Sequence, residues 1–73
     1  MPTYTVQVQL NSKEVYNGIF EFDSLADAVQ KVNNNIDTNC SVIDAENGLD
    51  IYGAAHYFDR FGDGSCVIRR GSK

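Results

Sequence analysis

At 73 residues the chain makes one domain with a thin core, because a polypeptide this short buries only about 60% of the surface that its unfolded form exposes. Its 42% hydrophobic and 22% charged residues are those of an ordinary globular protein and exclude a disordered or collagen-like one. A net charge of −4 weighs against direct nucleic-acid binding, which depends on Lys and Arg displacing counterions from phosphates.

Thr3 to Leu10 alternates, with Tyr4, Val6, Val8 and Leu10 on one side and Thr5, Gln7 and Gln9 on the other, which predicts a half-buried strand. Asn11, Ser12, Lys13 and Glu14 supply turn chemistry and lead to a second strand over Val15 to Phe22, whose Phe20 and Phe22 are expected to meet a helix. That helix is read from the stretch Phe22 to Ile36. Leu25, Ala28, Val29, Val32 and Ile36 fall at helical spacing and form one stripe, a structural brace for the sheet. Ser24, three positions before Asp27, is a capping-box variant that also puts carboxylates near the positive end of the helix dipole. One of Asn33, Asn34 and Asn35 is expected to end the helix in the left-handed conformation.

Further on, Glu46-Asn47-Gly48 separates two apolar runs, and Asn-Gly in that setting is the strongest short-range hairpin signal. It predicts strands over Cys40 to Ala45 and from Leu49 onward. Asp50 to Phe61 fits two periods. At period two it is a strand with apolar residues on both sides; at helical spacing Ile51, Ala54, Ala55 and Phe58 form a stripe. The strand is preferred because the hairpin commits the chain to a sheet and Tyr and Phe favour strands, with Gly53 as a bulge or bend. Gly62-Asp63-Gly64 predicts a tight turn and Ser65 to Arg70 a last strand. The predicted class is α+β, a single antiparallel β-sheet with one α-helix packed across one face, in the order β-β-α-β-β-β.

Catalytic chemistry has little to build on. His56 is the only histidine, so a site would have to join it to Cys40, Cys66 or a carboxylate. On a strand it shares a side with Tyr52 and Phe58 and reads as a surface side chain. No catalytic residue is assigned, and a small enzyme or ligand binder using His56 with a cysteine is kept as the alternative. Cys40 and Cys66 lack metal or redox spacing and read as thiols in strands, with a disulfide open to them if those strands are neighbours. The run DRFGDGS, Asp59 to Ser65, has the acids and glycines of a calcium loop, but Arg60 and Phe61 stand where oxygen ligands are needed. No metal and no cofactor is therefore expected. Nothing approaches the roughly 20 apolar residues of a membrane span, and the N-terminal MPTYTVQVQ lacks the features of a signal peptide, so the expected location is cytoplasmic.

A protein-binding surface is what the residues favour. Between residues 37 and 63, Asp37, Asp44, Glu46, Asp50, Asp59 and Asp63 face only Arg60, while Arg69, Arg70 and Lys73 form a basic end read as a solvated tail. The 4 Tyr and 4 Phe exceed what a thin core requires, and Tyr is enriched at interfaces because it joins apolar area to a polar tip. The candidate partner-binding residues are Asp44, Glu46, Asp50, Tyr52, Tyr57, Asp59 and Asp63. They would meet a basic partner, or a second copy of the sheet in a homodimeric structural module.

A strand, FDSLADAVQKV as the helix, VIDAENGL as a strand with its Asn-Gly turn, and further short strands together resemble small phage-borne anti-CRISPR proteins that inhibit type I interference complexes. The resemblance covers roughly residues 20 to 70. It implies a stoichiometric inhibitor that binds a Cas subunit and blocks DNA access or nuclease recruitment, in the host cytoplasm if the chain is phage-encoded; the acidic, aromatic-rich patch would also suit another nucleic-acid-binding protein. Such inhibitors share no binding motif, so no residue is carried over.

Overall fold

The structure is a computed structural model describing residues 3–11 and 16–71. The chain runs β1 (Tyr4–Leu10), β2 (Tyr16–Phe22), α1 (Leu25–Asn35), α2 (Val42–Tyr52), β3 (Ala54–Phe58) and β4 (Gly64–Arg70). The four strands form one antiparallel sheet in the order β2-β1-β4-β3. The α+β class and the single antiparallel sheet are as the sequence predicts. The element count is corrected: two helices stand where one was expected, in the order β-β-α-α-β-β.

β1 sits centrally because both of its edges are paired, with Val6 opposite Phe20 on one side and Ile68 on the other. The alternation read from the sequence holds. Val6 and Val8 are buried, and Tyr4, Leu10, Phe20 and Phe22 pack partly buried against the same core. The expected turn between β1 and β2 lies, apart from Asn11, outside the described residues. Helix α1 forms as its stripe dictates, burying Ala28, Val29 and Val32, and the Ser24 hydroxyl accepts the Asp27 N–H at 3.2 Å. Its end differs from the expectation. The three asparagines remain helical and the cap is Ile36 in extended backbone. The Asn33 side chain instead pairs with the Cys40 backbone, donating to its carbonyl at 3.0 Å and accepting its N–H at 3.1 Å, so it closes the turn between the helices.

The larger correction is α2. The residues expected to make an Asn-Gly hairpin form eleven residues of helix, and Asp50, Ile51 and Tyr52 belong to it rather than to a strand. Two caps and a buried face together outweigh the turn preference. The Ser41 hydroxyl accepts the Asp44 N–H at 3.1 Å, repeating the cap of α1. Ala45 and Leu49, four apart, bury on one face. Gly53, at φ 80°, ends the helix in the left-handed conformation rather than marking a bulge. Gly48 is then a close approach, not a turn: a Cβ there would lie 3.2 Å from the Ala55 Cβ and 3.3 Å from its Cα. Its missing side chain lets α2 lie low on β3. The preferred strand survives in Ala54–Phe58.

Among the described residues, twelve buried apolar ones, including Val6, Val8, Val32, Leu49, Ala55, Cys66 and Ile68, make one core between the sheet and the two helices. The other face of the sheet carries Ile19, Gln7, Val67 and His56 in one row, and no described element covers it.

Candidate protein-binding edge

The hydrogen-bond register fixes which backbone groups the sheet leaves open. Asp59 donates its N–H to Gly64 at 2.8 Å, Asn11 donates to Asp63 at 2.7 Å, and Gly71 donates to Thr3 at 2.8 Å. Since bonded pairs alternate along an antiparallel ladder, β3 spends the backbone groups of Ala55 and Tyr57 on β4. Those of Ala54, His56 and Phe58 point to the open edge. The same alternation leaves Asn17, Ile19 and Glu21 at the far edge, on β2. Among the described residues, no backbone hydrogen bond between elements reaches either set.

The two edges differ in protection. Strand β2 carries Glu21, and the Lys31 ammonium lies 4.0 Å from the centroid of the Phe20 ring. Ala-Ala-His-Tyr-Phe in β3 has no Lys, Glu or Pro, the residues by which proteins discourage edge pairing. Beside it runs a groove of about 330 Å³, lined on α2 by Asp44, Gly48 and Tyr52 and on β3 by Ala54, Ala55, His56 and Tyr57. No residue of β4 lines it, so it opens at the free edge. Tyr52, which lines it, is 80% exposed; elsewhere on α2 and β3, Ile51 and Phe58 are each 70% exposed.

Of the residues proposed from sequence, the fold brings Asp44, Tyr52 and Tyr57 together at this groove. Glu46 and Asp50 lie on α2 away from it, near Arg70, and Asp50 accepts from the Arg70 guanidinium at 2.7 Å. That pair places Arg70 in β4 rather than in a solvated tail. Asp59 and Asp63 belong to the β3–β4 loop. One Asp59 oxygen accepts the Asp37 N–H at 3.0 Å and the other the Phe61 N–H at 2.7 Å, which holds the carboxyl below its usual range and ties the α1–α2 turn to the loop. The Asp63 carbonyl accepts from Asn11. Sequence reading passed over the edge groups themselves. An uncharged five-residue strand after a left-handed glycine was the signal for them.

His56 and the thiols are not brought together. His56 is exposed on the open face, whereas its neighbours Ala55 and Tyr57 turn toward the core, where Cys66 is buried opposite Tyr57. Cys40 is buried too, and both cysteines are free thiols. Burial raises the Cys40 thiol above its usual range, with the Tyr57 hydroxyl beside it acting the other way. Burial also pushes Cys66 up to about 11 and raises Tyr57. Both thiols are thus held in the protonated, weakly nucleophilic form. Among the described residues no group of three or more His, Cys, Asp and Glu side chains could hold a metal ion, and no helix is long and apolar enough to cross a membrane. Comparison with protein-family models, curated proteins and solved structures gives no match.

Proposed function

We propose that this chain is a small non-enzymatic protein-binding module that takes an extended segment of its partner along the free edge of β3. The observation that carries the reading is a strand edge without Asp, Glu, Lys or Arg, with the backbone groups of Ala54, His56 and Phe58 open, beside a groove lined by exposed Tyr52. Main-chain pairing supplies affinity in such strand addition, and alternate side chains of the guest enter the groove and supply selectivity. Asp44 at the groove and the chain's charge of −4 favour a basic guest. A nucleic-acid-binding protein fits that description. A Cas subunit is the specific partner that the resemblance implies, which would make the module an inhibitor of a host nucleic-acid-processing complex acting in the cytoplasm.

Affinity capture from a host lysate at low salt, run in parallel with wild type, His56→Pro and Ile19→Lys, tests this. Proline at 56 removes an outward-facing N–H that the chain's own sheet does not use, so the fold is retained while the edge is blocked. The expected result is a partner held by wild type and Ile19→Lys and lost by His56→Pro. Equal recovery by all three would move the contact away from β3, and no partner at low salt would remove the binding reading. Asp44→Lys should weaken capture and flatten its salt dependence.

A further inference from the structure

Resting on that reading of β3 as the contact edge, we propose that a second copy of this chain is its resting occupant, in a two-fold homodimer built by antiparallel pairing of β3 with itself. The sequence of the strand is self-complementary about His56. The register that pairs all five residues puts His56 opposite its own copy, Ala54 opposite Phe58 of the second copy, and Ala55 opposite Tyr57 of the second copy. Each large ring meets an alanine, on both faces of the joined sheet. In that register the outward groups of Ala54, His56 and Phe58 meet one another, giving about six new main-chain hydrogen bonds. No Asp, Glu, Lys or Arg stands on β3, so no carboxylate, ammonium or guanidinium meets its own copy across the axis.

The helix layer obeys the same symmetry. Asp44, Gly48 and Tyr52 form one stripe of α2 along the groove. Gly48 lies over Ala55, one residue from the axis, so α2 sits low on β3 close to where the two copies meet. Running antiparallel, they bring the Asp44 carboxylate of one toward the Tyr52 hydroxyl of the other, an acceptor toward a donor. The dimer also covers the exposed Phe58 and Tyr52 rings. Pairing and partner capture then compete for one edge, and a bound partner splits the dimer.

Sedimentation velocity from micromolar to hundreds of micromolar, with circular dichroism to confirm folding, tests this. Wild type should reach twice the 8.1 kDa chain mass. His56→Pro blocks the pairing and His56→Glu opposes two like charges, so each should weaken self-association by at least about tenfold, whereas His56→Thr keeps the dimer. A wild-type monomer over the whole range overturns the dimer, as does a dimer unchanged in folded His56→Glu. A wild-type monomer whose captured partner is still lost in His56→Pro overturns the dimer and leaves the β3 edge as the partner site.

Discussion

Ser41 does for α2 what Ser24 does for α1: its hydroxyl accepts the N–H three residues on and satisfies one of the donors that a helix start leaves open. Replacing Ser41 by Ala should therefore lower stability by about 1 kcal/mol in urea unfolding, much as Ser24→Ala should. Had residues 40–52 formed a hairpin, Ser41→Ala would have stayed close to neutral. The thiols give a second prediction at this scale. Cys66 ionises near 9.0 when exposed and at about 11 in the fold, so the folded state favours the protonated thiol. Its contribution is fully present below pH 9 and is lost as pH rises toward about 11. Urea midpoints should fall across that window in wild type and fall less in Cys66→Ala, whose loss of packing lowers its midpoint at every pH.

At the scale of elements, β1 and α1 were legible because each carries its signal within a few residues, strict alternation and a capped stripe. The β3–β4 turn expected at Gly62-Asp63-Gly64 instead closes earlier, with the Gly62 N–H donating to the Asp59 carbonyl at 3.0 Å, and Gly64 already belongs to β4. Helix α2 was not legible. Its cap, Ser41 with Asp44, was as plain as that of α1, but Asn47-Gly48 spoke locally for a turn, and the packing that joins the caps in overruling it is tertiary. Gly48 is needed for the approach of α2 to Ala55, a contact between segments that sequence does not align. Misreading α2 also hid the site, since Asp44 and Tyr52 are eight apart on one helical stripe and would fall on separate strands of a hairpin. Close approach recurs at Gly64, which is buried in β4. A Cβ there would lie 2.6 Å from the Leu10 Cδ2 and 2.7 Å from the Gln9 carbonyl oxygen, so backbone must move. Gly64→Ala should cost about 1–3 kcal/mol, measured by thermal or urea unfolding, although alanine otherwise suits a strand better than glycine.

For the whole molecule, helices cover one face of the sheet, and the sheet ends in two edges of unequal character. The β2 edge carries a charge at Glu21; the β3 edge carries none and has a groove at its side. Acidic composition pointed toward a protein partner, but the acids divided once folded, with Asp50 and Asp59 engaged by the chain's own groups and Asp44 left at the groove. On the proposal made above, β3 is the edge that pairs. Residue-resolved amide hydrogen exchange tests it most directly, comparing dilute protein with concentrated or partner-bound protein. Exchange at Ala54, His56 and Phe58 should slow together as the edge is occupied, while Asn17, Ile19 and Glu21 on β2 remain fast. Amides of β3 that stay as fast as those of β2 under every condition, or protection gained at β2 instead, would contradict it.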